Sequence, residues 1–571
     1  MPSHHHTPLH AAAAEAVAAL AGVPASALKV EATPRPELGD FAIGCFAIAK
    51  AKQVSPAQAA QDIAAAFKPT ALLDSATAAG PFVNFRANRT ATFSWVIDAA
   101  LRGTLLPQTG VGQTICIDFS SPNISKHLAY HHIRSTMIGN SLAQSHRALG
   151  YRVIGINHLG DWGTTHGMLI AAYKMWGAPK PLNVDALNDL YVRFREAMKT
   201  DPTLEDAGRA WFKKLEDGDA EARSLWQRFR EISLAEYDTI YKRLGIQFDE
   251  IRGESAYEAD LPRVMKELTD RGFVVESEGA LVVELADEKT PILLKTKDGT
   301  TLYATRDIAA AEYRWNTYHP VRSLYVVDRG QALHFRQLFK LLAKMGYEWA
   351  PVLQHIPFGL VRIGGKKTGS RAGNVVLLKE VIGEAEARVR ALIAETNPAL
   401  PTDVLDRVAP MVGTGAVVFA NLAPQREKDV DFEWEKVVAM QGDSGPYLQY
   451  SHARCASIVR KANEPVASID GIDLGKLTHD AEWAVARKLL EFPDTVVRSA
   501  DACEPHVIAH YLLDLAGEFS RWYTTGNGDA TLRVLTEDAP TRRARLALVG
   551  AVQSTMREGL SLLGMAAPDQ M

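Results

Sequence analysis

The chain is short of several things, and each shortage excludes a class of protein. It has four cysteines in 571 residues, Cys45, Cys116, Cys455 and Cys503, and they form no Cys-x-x-Cys pair. That spacing excludes a disulfide framework or a zinc knuckle and fits a reducing compartment. No run approaches the ~18 apolar residues that a bilayer-spanning helix needs, so no membrane partner is expected. Met1-Pro-Ser-His-His-His is not followed by an apolar core and does not read as a secretory signal, which leaves a cytoplasmic location as the expectation. The three adjacent histidines read as a terminal tail, and no protein-bound metal is expected. Basic charge is not in excess: 63 Lys and Arg stand against 67 Asp and Glu, a net charge of −4. An indiscriminate binder of DNA or other polyanions would carry surplus positive charge, so any nucleic acid must meet a local basic face.

What is present is the composition of a globular protein, 47% hydrophobic and 23% charged. Length alone suggests about three or four domains. Residues 1–108 open with Ala-rich helical patterns and close on a turn and strand, Gly80-Pro-Phe-Val-Asn-Phe85. Residues 109–438 alternate short apolar strands with helices, the pattern of βαβ units and a parallel sheet. Strands are predicted over 114–119, 151–156 and 323–328, and helices over 133–149 and 332–345, with Gly150 suited to cap the first of these helices. A polar helical insertion covers roughly 180–245. Residues 439–571 are helical throughout, with apolar positions three and four apart in 483–492 and 510–522. The fold class expected is α/β: a Rossmann-type parallel-sheet catalytic core between a small N-terminal α/β domain and a C-terminal all-helical domain.

The loop after the first strand reads Ser121-Pro-Asn123-Ile-Ser-Lys126-His127-Leu-Ala129-Tyr-His131-His132-Ile-Arg134. In an open parallel sheet, ligands bind beyond the carboxyl ends of the strands, where helix N-termini offer amides and positive dipole to phosphates. A lysine and three histidines at that place suit a triphosphate, although the same residues also describe an ordinary polar surface loop.

This segment resembles the first signature of the class I aminoacyl-tRNA synthetases in its arginyl version, Ser-Pro-Asn-x-x-Lys-x-x-His-x-Gly-His-x-Arg-Ser-Thr. Asn157-His-Leu-Gly-Asp-Trp-Gly-Thr164 is similar to another segment of that family. Gly253-Glu-Ser255, Tyr303-Ala-Thr-Arg-Asp307 and Gln331 with His334-Phe335 follow in the family's order. Gly39-Asp-Phe41 and the strand to Phe85 resemble its N-terminal tRNA-binding extension. Gly445-Pro-Tyr-Leu-Gln-Tyr-Ser-His-Ala-Arg454 and the last twelve residues resemble its anticodon-binding helical domain. The resemblance implies an arginine–tRNA ligase, with ATP and Mg2+ as a substrate complex, L-arginine and tRNA(Arg) as the other partners, and a monomeric chain.

It also implies the site. A guanidinium is always charged and suits a bidentate carboxylate. The family's pocket acids fall on Glu254 and Asp307, Tyr303 and Gln331 complete the side-chain pocket, and Ser121, Asn123 and His132 hold the backbone end of arginine. His131, His132, Gly160, Asp161, His334, Phe335 and Lys367 fall on the ATP side. Lys126, His127, His132, Lys367 and Arg371 are the catalytic cations, the last two in Gly364-Gly-Lys-Lys-Thr-Gly-Ser-Arg371, a degenerate form of the family's second signature. Asp40, Asn84, Phe85, Tyr447, Gln449, Tyr450 and Arg454 are expected to meet tRNA. The sequence departs from the pattern where the signature's first histidine becomes Ala129 and its glycine becomes His131. From this, His127 is expected to take over the phosphate contact and His131 to pack against adenine. Two other functions fit the same resemblance: arginine activation for a non-tRNA acceptor, and a non-catalytic RNA-binding descendant.

Overall fold

The structure is a computed structural model that describes residues 6–33, 35–295, 303–363, 366–367 and 376–571. At its centre lies a five-stranded sheet in the spatial order Leu353–His355, Arg322–Tyr325, Thr114–Asp118, Arg152–Asn157, Glu250–Ile251. Every neighbouring pair in it is parallel. The middle strands are buried almost throughout, as a parallel sheet covered on both faces requires. The sequence-predicted strands and helices fall here within a few residues. The predicted 133–149 helix is His132–Ala148, and Gly150 follows it with φ +87°, its N–H bonded to the Arg147 carbonyl.

The insertion folds into three helices, Val184–Ala197, Thr203–Glu216 and Ala220–Arg243, each opening on a polar or Pro residue. They pack with Thr164–Trp176 around Trp162, Phe194, Phe212 and Phe229. The long helix Ala220–Arg243 also lies over the signature loop. The Tyr237 hydroxyl donates to the carbonyls of Asn123 and Lys126, both at 2.7 Å. Ser233 Oγ accepts the Ser125 N–H at 2.8 Å.

Near the N-terminus the sheet is antiparallel, in the order Val30–Ala32, Phe41–Gly44, Phe82–Ala87, Leu73–Ala79. Helices Pro8–Ala21 and Pro56–Ala66 close its apolar face around Ile43, Val83 and Phe85. The C-terminal helices Gly445–Ala462, Asp480–Ala502, His506–Gly528 and Ala539–Leu562 share one large core with the central sheet. Among the described residues no helix is long and apolar enough to cross a membrane.

Candidate active site

The loops at the carboxyl ends of the parallel strands converge, as they must in this architecture. The Thr114–Asp118 strand leads into a loop bent by left-handed φ at Ser120, Ser121 and Ser125, of +69°, +46° and +64°. Ser121 Oγ donates to Asp118 at 2.7 Å and accepts the His158 N–H at 3.1 Å, which ties the loops after the first two strands together. Asn123 and Gly160 form a parallel bridge. A Cβ on Gly160 would come within 1.9 Å of the Asn123 side-chain oxygen, so glycine leaves room for that side chain where it lies. The floor is a buried ion pair, Asp118 with Arg314 at 2.7 Å, and Arg314 also lies 4.9 Å over the Tyr325 ring.

His132 begins the helix His132–Ala148. Its Nδ1 lies 3.1 Å from the Ala129 carbonyl, so Nδ1 carries the proton and Nε2 the lone pair. Burial, then the neighbouring His131, push its pKa down to about 3. The two rings lie 4.2 Å apart at 33°, and His131 Nδ1 is buried without a hydrogen-bond partner among the described residues. Arg134, one turn on, is buried and donates to the carbonyls of Asn421 and Arg426, which anchors this helix start. Ala129 pairs with Leu377, and the Tyr130 N–H bonds Val376 at 2.8 Å. The first signature is therefore laddered to the segment that follows the second. Of that second loop, Lys367 lies in a two-residue strand whose side chain is outside the described residues, and Arg371 lies outside them altogether.

The second half of the site is acidic. Glu254 opens the short helix Glu254–Asp260, and its N–H is held by the Leu159 carbonyl at 3.0 Å. One carboxyl oxygen of Glu254 is buried with no hydrogen-bond partner among the described residues. Burial raises its pKa to about 8, Arg306 opposing and Asp307 and Asp161 reinforcing the rise. Asp307, in the first turns of Tyr303–Tyr318, accepts from His334 Nε2 at 2.6 Å, and its other oxygen is 3.9 Å from His158 Nε2. Tyr303 opens that helix, its side chain outside the described residues, and Gln331 is exposed at the cap of Ala332–Lys344.

Several of the expected site residues meet partners within the protein. The ring nitrogens of His127 lie 2.5 Å from Glu236 and 2.9 Å from Asp185, both on insertion helices. Its pKa is raised, chiefly by the hydrogen bond it donates to Glu236. Lys126 also turns to the insertion, its Nζ 4.9 Å from the Tyr191 ring centre. Asp161 is fully buried and spends its oxygens on the Ser255 N–H and Oγ at 2.9 Å and on Arg230 at 3.0 Å. Phe335 is a core aromatic stacked on His355 at 4.8 Å. His334 meets Asp307. His131 lies on His132, a ring partner that sequence spacing does not reveal.

The expected tRNA residues divide in the same way. Phe85 and Asn84 are buried in the N-terminal sheet. Asp40 accepts from the Ala87 N–H at 2.9 Å and Trp483 Nε1 at 3.2 Å, so it joins the N-terminal sheet to a C-terminal helix instead of facing solvent. Gln449 is fully buried and donates to the carbonyls of Met411 and Ala566. Tyr447 is half-buried against the core. Tyr450 and Arg454 do face outward: the Tyr450 hydroxyl accepts from Arg454 at 2.9 Å, and the Arg454 guanidinium lies 4.8 Å over its ring and 5.5 Å over Tyr523. They line a cleft of about 570 Å³ with Arg460, Lys461 and Arg533. His158 and Arg306 stand beside Asp307 and Glu254, and sequence reasoning singled out neither, although both lie inside segments whose motif was recognised.

A parallel sheet whose carboxyl edge carries a histidine at a helix start, together with an acidic pocket, is the core of a class I aminoacyl-tRNA synthetase, and a family model described as tRNA synthetases class I (R), catalytic domain, matches residues 96–434. An arginyl tRNA synthetase N terminal domain model matches residues 8–87, and a DALR anticodon binding domain model matches 448–571. An arginine–tRNA ligase of an Exiguobacterium species is 44% identical over 93% of this chain and 94% of its own length, and one of Lactobacillus johnsonii 43% over 95% and 96%. The solved Thermus thermophilus arginyl-tRNA synthetase superposes with a TM-score of 0.83 at 28% identity, covering 98% of this chain and 99% of that one. The chain belongs to the arginyl-tRNA synthetases, the arginine–tRNA ligases of class I.

Proposed function

We propose that the protein activates L-arginine with ATP and Mg2+ to arginyl-adenylate and passes the arginyl group to the 3′ end of tRNA(Arg). One observation carries the choice of amino acid: a buried carboxyl oxygen of Glu254 without a donor among the described residues, beside the Asp307 carboxylate. Two acids around a buried site call for a cation with several N–H donors, and a guanidinium supplies five. Tyr303 and Gln331 flank the guanidinium, while Ser121 and Asn123 hold the α-amino end.

The arginine carboxylate attacks the α-phosphorus of ATP in line, and magnesium pyrophosphate leaves. This chemistry needs positioning and charge neutralisation more than a protein nucleophile. His132 is neutral without nucleotide. A phosphate at the helix start favours its cation, and Nε2–H then donates to the developing charge. His131 and Gly160 border the nucleotide. Lys367 and Arg371 clamp the phosphates from the second loop, and Mg2+ enters and leaves with them as part of the substrate complex. Tyr450 and Arg454, with Tyr447 beneath, receive the anticodon arm, an aromatic face for an unpaired base beside a cation for phosphate. The division of labour follows the chain: tRNA binding in 1–108, catalysis in 109–438 and anticodon binding in 439–571. The setting is a cytoplasmic monomer.

Asp307→Asn tests this reading. Losing one partner of a buried charged pair costs ~3 kcal/mol or more, so the arginine KM rises about 100-fold while the ATP KM holds. An arginine KM within about twofold of the parent, less than 0.5 kcal/mol, removes Asp307 from the substrate site.

A further inference from the structure

The pocket of Glu254 and Asp307 already contains a basic group of its own, the imidazole of His334. Asp307 receives the Nε2–H of His334 at 2.6 Å, a distance typical of a charge-assisted bond. The second histidine nearby does not share the role. His158 has its Nδ1 3.1 Å from the Arg252 carbonyl, and its Nε2 stands 3.9 Å from Asp307, beyond hydrogen-bonding reach. The imidazole of His334 and the carboxylate of Asp307 are part-exposed, 31% and 21%, so an incoming ligand can reach both. Behind them lies Glu254, buried and short of a donor among the described residues. The other charged groups facing this cluster are Arg306 beside Glu254, Asp161 under the same turn, and the Tyr325 phenol behind Asp307.

We propose that His334 is a place-holding cation: its imidazolium occupies Asp307 in the arginine-free enzyme, the substrate guanidinium takes that carboxylate over, and arginine uptake expels the His334 proton to solvent. This rests on the assignment of Asp307 and Glu254 to the arginine pocket. An imidazolium offers two N–H donors and a guanidinium five in a planar fork, so the substrate wins the carboxylate and still has donors for Glu254. Both acid–base shifts act in one direction. Burial lowers the His334 pKa, but the bond to Asp307 and its charge outweigh burial and leave it above the ordinary value. Glu254 sits at about 8, so it too gives up a proton when a cation arrives. Arginine binding therefore tightens as pH rises from the acid side. Each expelled proton makes the arginine Kd change about tenfold per pH unit below the pKa concerned. In biological terms, the pocket keeps Asp307 neutralised between turnovers, and monovalent cations without the guanidinium fork gain little by entering.

The test is calorimetry of L-arginine binding to the full chain between pH 5.5 and 9. Buffers of different ionisation enthalpy give the number of protons released. The parent should release protons at pH 6, and its Kd should fall steeply to pH 8. His334→Gln keeps an N–H near the Nε2 position for Asp307 but cannot carry charge. At pH 6 it should release about one proton fewer than the parent, and its Kd should rise about tenfold less than the parent's on going from pH 8 to pH 6. Glu254→Gln should lose the other proton and retain the His334 component. As a check independent of any variant, the His334 imidazole resonance should titrate at higher pH without arginine than with it. A His334→Gln chain with the parent's proton count and pH slope, or a His334 resonance unmoved by arginine, overturns the proposal. Unaltered arginine affinity in Asp307→Asn would instead sink the pocket assignment beneath it, so the two failures are distinct.

Discussion

Asp161→Asn removes a negative charge from a carboxylate that no solvent reaches. The carboxylate accepts from the Ser255 N–H and Oγ and from Arg230 Nε, and it sits so close to Gly253 that a Cβ there would lie 2.4 Å from one of its oxygens. The amide keeps one acceptor and turns an NH2 group toward a ring of donors. Breaking a buried pair by removing one charge costs ~3–5 kcal/mol. Arg230 is one-fifth exposed and can regain some hydration, which favours the lower end, about 3 kcal/mol. At ~2–4 °C per kcal/mol for a domain of this size, the first thermal transition falls by roughly 6–12 °C. Ser255 follows Glu254, so the acidic pocket loosens with it and the arginine KM rises. The ATP KM should not move, because both oxygens are committed to protein donors. Thermal unfolding followed by circular dichroism, with ATP–pyrophosphate exchange at varied arginine and ATP, reads all three quantities. A thermal midpoint within about 2 °C of the parent, under 1 kcal/mol, together with a tenfold higher ATP KM, would refute the reasoning and return Asp161 to the nucleotide.

His127→Ala should act through the insertion rather than through phosphate. The folded-state pKa of His127 is raised, so its stabilisation is fully present below its unfolded value and is lost as pH rises through the folded one. The variant should lose about 2 kcal/mol at pH 6 and much less at pH 9; equal losses in thermal midpoint at both, with slowed pyrophosphate exchange, would restore a phosphate role. Tyr450→Ala and Arg454→Ala should each raise the KM for tRNA by roughly tenfold, a loss of 1–3 kcal/mol of stacking or phosphate contact, with exchange kinetics for arginine unchanged; aminoacylation at limiting tRNA measures it, and unaltered KM values in both variants would clear that cleft of a tRNA role. Gln449→Ala, one residue from Tyr450, should instead lower the thermal midpoint, since its buried amide bridges the carbonyls of Met411 and Ala566.

Much of this protein was legible before any coordinate. The alternation of apolar strands with helices places three of the sheet's five strands within three residues, because a strand buried on both faces leaves a continuous apolar run such as Ile115-Cys-Ile117. The signature loop could be placed at the carboxyl edge because it follows such a strand and precedes a helix. Glu254 and Asp307 could be singled out only through family order, since acidic residues gather near helix starts in any protein and a single one there marks no pocket. What side chains face was not legible. His127 and His132 lie five residues apart in one loop, yet one turns to Glu236 and Asp185 and the other to the Ala129 carbonyl at the helix start. Tyr450 and Gln449 are adjacent on one helix, and the 3.6-residue turn sends one outward and the other into the core.

Sequence by itself determined the order of the elements, the family and the chemical types gathered at the sheet edge, because these follow from local periodicity and from motifs read along the chain. Only the tertiary structure decided which charges meet. The insertion helix Ala220–Arg243 claims His127 and Asp161 through Glu236 and Arg230, and Trp483 claims Asp40 across more than four hundred residues. A buried charge must find its partner wherever packing brings one within a few ångströms, and that distance is set by the folded core rather than by position in the chain.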